Sequence, residues 1–139
     1  MSQQDNMQSA QHFGEAVNSG QLEQLRDLVA ANSVDHDPAP GQVAGPDGFI
    51  SFFGTMRSAF PDLHIEVEHL VADENNVAFA YTITGTHQGD FQGVPATGRS
   101  IKARGVQIGR YEHGLLVERW GSTDELGILK QLGAQPTQG

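Results

Sequence analysis

The stretch Ser100–Gly133, SIKARGVQIGRYEHGLLVERWGSTDELGILKQLG, decides how this chain is read. It reads as two long strands joined by a tight turn and closed by a short helix. Taking Glu112-His113-Gly114 as a three-residue loop with Gly114 in the left-handed position pairs Tyr111 with Leu115, Gly109 with Val117, Gln107 with Arg119 and Gly105 with Gly121. Opposed residues of an antiparallel pair share a face. One face then shows Gly105, Gln107, Gly109, Arg119 and Gly121, and the other Val106, Ile108, Arg110, Leu116, Glu118 and Trp120. The first face is nearly empty of side chains. Its glycines either let the sheet bend or leave volume for a ligand against the backbone, and both fit a sheet curled around a cavity. The second face is apolar enough to need cover from a helix or a second subunit.

Downstream, Ser122 and Glu125 have capping-box spacing, with Asp124 in the first turn of the helix DELGILKQLG. Upstream, residues 8–19 and 21–31 read as two helices, the second striped by Leu22, Leu25, Leu28 and Val29. Val34 to Asp37 is a short extended piece before Pro38 and Pro40. Gly45-Pro46 opens a further helix on which Phe49, Phe52, Phe53, Met56 and Phe60 recur at helical spacing, as core or as the lining of an apolar cavity. After Pro61 the period becomes two, with Leu63, Ile65, Val67, His69 and Val71 on one face and His64, Glu66 and Glu68 on the other. Asp73 to Asn76 makes a turn, and Val77 to Gly85 forms the next strand. The loop THQGDFQGVPATGR is long enough to be a rim or lid. Helices first, then antiparallel strands, then one helix give an α+β domain, with helices on one side of a curved sheet. A single domain over 1–139 is expected, ordered over about 8–133, with frayed Gln-rich ends.

Seventeen acidic residues against eight basic ones give a formal charge of −9, which argues against nucleic acid and anionic membranes as partners. There is no apolar run of spanning length and no signal-peptide pattern at the N-terminus, so a cytoplasmic protein is expected. Zero cysteines exclude disulfide and thiolate chemistry. Phosphate loops, dinucleotide fingerprints, HExxH helices and GxSxG elbows are also missing.

The order of elements, together with DHDP (35–38), GPDGF (45–49), FPDL (60–63), GTHQGDFQGVPATGR (85–99), RYEHG (110–114) and LGILKQLG (126–133), resembles the SnoaL-like polyketide cyclases of the nuclear transport factor 2-like superfamily. The resemblance runs from about Gln11 to Gly133. It implies a cone-shaped α+β fold with an apolar pocket between curved sheet and helices, a homodimer, and ring closure without metal or cofactor. In such chemistry an aspartate acts as acid and base while polar neighbours steady the enolate. Matched residue by residue, the family's catalytic aspartate falls at Gly121, its histidine and glutamine at Gln107 and Gly105, its pocket asparagine at Asp37, and its loop histidine at His87.

The expected site therefore joins Asp37 as replacement base, His87 at the pocket mouth, and Gln107 and Arg119 as oxyanion donors. Phe49, Phe53, Gly105, Gly109 and Gly121 are expected against the substrate, with Tyr81 a further donor. A metal site from Asp35-His36-Asp37 is not expected, because alternate residues of a strand diverge, and His64 and His69 point oppositely. The expected activity is a cofactor-independent cyclase or isomerase acting on a polyketide-like or other apolar oxygenated small molecule. The alternatives are a non-catalytic small-molecule binding protein and an epoxide-opening hydrolase or cyclase.

Overall fold

The structure is a computed structural model that describes residues 3–133. Its elements are α1 (Gln3–Ser19), a 3-10 helix (Leu22–Asp27), β1 (Val29–Asp35), α2 (Pro46–Ala59), β2 (His64–Ala72), β3 (Asn76–Thr86), β4 (Ser100–Glu112), β5 (Leu115–Thr123) and α3 (Glu125–Gln131). Five strands form one open, curved sheet in the order β1-β5-β4-β3-β2. The α+β class is as expected, but the sheet is mixed: β1 runs parallel to β5, and every other pair is antiparallel.

The N-terminal third departs most from its sequence reading. The first helix begins at Gln3, not near residue 8, because Asn6 is fully buried and its amide donates to the carbonyl of Glu74 at 2.8 Å. This ties the Gln-rich start to the β2–β3 turn; the Gln-rich tail beyond residue 133 lies outside the described residues. Residues 21–31 are not one helix. The 3-10 turn stops at Asp27, and Val29 already pairs with Leu116 of β5. Leu25 and Val29 are both buried, so their spacing serves one core from two kinds of backbone.

The expected helix at Pro46 and the strand β3 are present. On β3, Val77, Tyr81 and Ile83 point to one face and are buried, and Thr82 on the opposite face is buried as well. On α2, Phe49 and Phe53 meet Phe13 of α1 edge to face, at 5.8 and 5.9 Å between ring centres. The two helices thus lock over the sheet. Asn18 completes the β2 edge, accepting from the Ile65 amide at 2.8 Å and donating to its carbonyl at 3.0 Å. An edge strand so engaged has fewer free groups to recruit another chain.

Two bulges reassign faces. In β2 the ladder skips Glu68, pairing Val67 with Tyr81 and His69 with Ala80. Leu70 and Ala72 therefore turn inward, whereas His69 and Val71 turn outward and are exposed with His64. In the closing hairpin the turn is two residues, His113-Gly114, both at positive φ (52° and 78°), the I′ pattern that matches strand twist. Glu112 pairs with Leu115 and Tyr111 with Leu116, and the ladder then skips Val117. Gly105 consequently faces Thr123, and Gln107 faces Gly121. Leu116, expected outside, is fully buried. The outer face carries Val106, Ile108 and Trp120 at 55%, 45% and 37% exposure. No element of the described chain covers it.

Asp124, not Ser122, caps α3, accepting from the Gly127 amide at 2.8 Å. Among the described residues no helix is long and apolar enough to cross a membrane.

Asp62 accepts from the Thr86 amide at 2.7 Å and from its hydroxyl at 2.8 Å. The backbone bond first, and the hydroxyl second, hold the Asp62 carboxyl below the ordinary carboxylate range. A depressed folded-state pKa contributes stability that is complete above the unfolded value of about 3.9 and is lost as pH falls through the folded value. Asp62→Asn should therefore flatten the acid limb of a plot of Tm against pH. Parallel acid limbs for parent and variant would show that the bond carries no linkage.

Candidate functional site

The concave face of the sheet and the inner faces of α1 and α2 enclose a cavity of about 720 Å³. Its helix wall presents Phe13, Phe52, Phe53 and Met56, and its sheet wall includes Ile65 and Phe79. The size suits a drug-sized ligand, and the lining has the apolar character of small-molecule sites. Its polar groups lie on two sides: Gln11, Glu15 and Asn18 of α1, and, across the cavity, Gln107, Arg119 and Thr123 of β4–β5 with Tyr81 of β3 and Glu125 of α3.

That side is organised by Arg119. Its Nη1 donates to Asp35 Oδ1 at 3.0 Å and Oδ2 at 3.2 Å, and its Nε donates to Gln107 Oε1 at 2.8 Å. The Asp35 and Arg119 side chains are 8% and 15% exposed, so the pair is withdrawn from water and its attraction is weakly screened. The Gln42 amide at 3.0 Å and the Asp37 backbone N–H at 2.9 Å also donate to Asp35. With these bonds the carboxylate serves as an anchor. Because Gln107 Oε1 receives Arg119, the Gln107 Nε2 donors point elsewhere; neither they nor Arg119 Nη2 has a protein acceptor among the described residues. Close by, the Tyr81 hydroxyl lies 2.6 Å from Thr123 Oγ1.

The three glycines of this face make room for the protein's own side chains. A Cβ at Gly105 would lie 2.5 Å from the Tyr81 hydroxyl, at Gly109 2.7 Å from Leu116 Cδ1, and at Gly121 2.5 Å from Arg119 Nη2. The volume expected for substrate beside them is filled by Tyr81, Leu116 and Arg119. The guanidinium thus stands where a side chain at 121 would start.

Of the residues expected to form the site, Gln107 and Arg119 meet directly, and Phe53 lines the cavity with them. Phe49 is buried against Phe13, outside the lining. Asp37 is exposed and outside it too; its Oδ2 accepts from the Gly121 amide at 2.8 Å, extending the β1–β5 contact past the end of β1. His36 turns to the outer face, stacking on Trp120 at 4.7 Å and meeting Glu118 at 2.8 Å. His36 first and Arg110 second hold the Glu118 carboxyl below its ordinary range. Asp35, His36 and Asp37 therefore diverge.

His87 is fully buried and tilted against Phe60 at 5.5 Å, away from the cavity lining. Its Nδ1 accepts from the Thr97 amide at 3.1 Å, while its backbone bonds Arg99 and Gly98 at 2.8 Å each. It orders the base of the 87–99 loop. That loop is pinned by Gln88 and Gly89 donating to the Ala59 carbonyl at 2.9 and 3.1 Å, and it sends Phe91 into the cavity wall.

Thr123 and Glu125 were missed as cavity residues, since the sequence around them reads as a helix cap. For Thr123 the available signal was its two-residue step onward from Arg119 and Gly121, which keeps it on the inner face; Glu125 opens α3, and strand alternation gives no signal for it.

The SnoaL-like polyketide cyclase family matches residues 8–132. Aklanonic acid methyl ester cyclase DnrD of Streptomyces peucetius is 25% identical over 126 residues, covering 86% of this chain and 84% of the relative. Among solved structures, TsrD from Streptomyces laurentii superposes with a TM-score of 0.88 at 27% identity, over 97% of this chain and 99% of that one. IdmH from Streptomyces antibioticus, a proposed polyketide cyclase, gives 0.81 at 31%, over 93% and 99%. A match that spans the helices, the curved sheet and the cavity between them establishes the lineage: the chain belongs to the SnoaL-like polyketide cyclase family.

Proposed function

We propose that this protein is a cofactor-independent enzyme of the cyclase or isomerase kind, acting by acid/base catalysis on a neutral, apolar, oxygenated molecule of polyketide type. The observation that carries the reading is the 720 Å³ apolar cavity with unpaired N–H donors of Arg119 and Gln107 at one side. Apolar walls bind a polycyclic carbon skeleton by removing its surface from water. Two preorganised donors in a water-poor site stabilise an oxygen on which negative charge develops, as in enolate formation. The same walls exclude the water that would otherwise compete for that oxygen.

Neutrality follows from charge. Arg119 is the cation of the cavity lining, and Asp35 compensates it, while Glu15 and Glu125 add two carboxylates. A free acid entering a chain of net charge −9 gains no uncompensated cation, so an ester or ketone is the better ligand. DnrD, named for a methyl ester substrate, supports this choice. The missing carboxylate at Gly121 favours a second reading, in which the cavity binds such a molecule without converting it.

Incubation with aklanonic acid methyl ester in ¹⁸O-labelled water, followed by mass spectrometry, tests these readings together. Cyclisation gives an isomer of unchanged mass without label. Ester recovered unchanged from a measurable complex would favour the binding reading for that ester, and incorporated label would mean hydrolysis instead of cyclisation. The free acid should bind at least about tenfold more weakly than the ester, a difference of about 1.4 kcal/mol.

Arg119→Lys keeps a cation for Asp35 but loses the fork that serves Asp35, Gln107 and a ligand at once. It should lower kcat by about 10²–10³ with a smaller change in KM; an unchanged kcat would remove Arg119 from the chemistry. Gly121→Asp places its carboxylate against Arg119 Nη2, 2.5 Å from the new Cβ, and should lower turnover by occupying that donor. Increased turnover in this variant would show that the guanidinium yields the position to an acid.

A further inference from the structure

Cyclisation needs a group that removes a proton, and the cavity walls restrict which one serves. The titratable side chains on the lining are Glu15, Tyr81, Tyr111, Arg119 and Glu125. Arg119 and the phenols are donors at neutral pH. Asp35 is held by Arg119, Gln42 and the Asp37 amide, and Asp37 lies outside the lining on the Gly121 amide. Two carboxylates remain.

Their places in the fold separate them. Glu15 belongs to α1, which packs over β2 and β3, whereas Arg119, Gln107 and Thr123 belong to β4 and β5. Glu125 is the first residue of α3, two positions after Thr123 ends β5, and it lines the cavity with the Tyr81–Thr123 pair. Its Oε2 is met by the Gln92 amide at 3.5 Å, a long contact that leaves the carboxylate available. Gln92 is set there by its own backbone. It sits at φ 47° beside Gly93 at φ 84° in a turn closed by the Phe91–Val94 bridge, with Phe91 packed into the cavity wall. A side-chain residue in this region is uncommon and marks a position held by its surroundings.

Resting on the acid/base reading above, we infer that Glu125 is the proton-transferring carboxylate of this cavity. The ionised Glu125 takes a proton from the carbon beside a substrate carbonyl, and the enolate oxygen is held by Arg119 Nη2 and Gln107 Nε2. The enolate carbon forms a carbon–carbon bond to a second carbonyl of the same molecule. The alkoxide so produced takes the proton from the Glu125 carboxyl. The carboxylate is restored and no other reactant is consumed.

Two probes test the assignment on the full-length protein: aklanonic acid methyl ester for cyclisation, and 5-nitrobenzisoxazole, whose ring opens when a base removes its C3 proton. Glu125→Gln, on an exposed position that leaves folding intact, should lower kcat/KM at least about 100-fold on both probes, with ester binding kept within about threefold. The parent rate of ring opening should rise with carboxylate ionisation and then level off, and the variant should lose that rise. The assignment is overturned if Glu125→Gln retains the parent rates, if Asp37→Asn or Glu15→Gln takes the loss instead, or if the parent opens the benzisoxazole no faster than an equal concentration of acetate. Ring opening that depends on Glu125 while the ester stays uncyclised upholds the proton-transfer role and removes the cyclase reading for that ester alone.

Discussion

The buried pairing of Asp35 with Arg119 is the constraint on which the rest of the site depends. It joins the last residue of β1 to β5 where those strands run parallel, and through Gln107 it reaches β4. Two charges taken from water are costly, and their attraction compensates only when geometry and further hydrogen bonds are good. Here Gln42 and the Asp37 amide supply those bonds. Removing one partner would leave a buried charge and cost about 3–5 kcal/mol. The pair adds little net stability over an apolar one of the same size, but it fixes the guanidinium in a single orientation over Gly121.

That orientation explains the glycines. Side chains at 105, 109 and 121 would collide with Tyr81, Leu116 and Arg119 respectively, so the inner face is built from large side chains lying across small neighbours. The bulge at Val117 is coupled to this packing. Without it, Leu116 would point outward; with it, Leu116 fills the space over Gly109 while Glu118 and Trp120 stay outside. One extra residue in a strand therefore decides what is core and what is surface.

The sequence was legible where one periodicity ran uninterrupted. The phenylalanines of α2 and the alternation of β3 have single readings, and the polar and glycine face of the closing hairpin keeps its odd-numbered membership in spite of the changed turn. Legibility failed where a bulge shifts phase, as at Glu68 and Val117, because a local pattern carries no count of paired residues. It failed again at residues 21–31, where Leu22, Leu25, Leu28 and Val29 satisfy a helical template although Val29 pairs with Leu116 across the chain. In the site, Gln107 and Arg119 were readable from their shared face. Asp35 was not, because its local pattern gives only a short extended piece and its partner lies 84 positions away.

The same pairing shapes what the cavity can do. Ion pairing to Asp35 cancels the net charge of Arg119 but leaves Nη2 without a protein acceptor among the described residues, so the site offers directional donors without bulk positive charge. Such donors gain most when negative charge appears on an oxygen at the position they already face, and least when an anion arrives fully formed with its hydration to lose. A bare lysine in this place would attract free acids and hold ground states tightly. Under the proposed function, a guanidinium tied down on two of its three nitrogens would favour instead a neutral molecule that becomes an enolate only in place, and that discrimination between ground and transition state is the condition for catalysis.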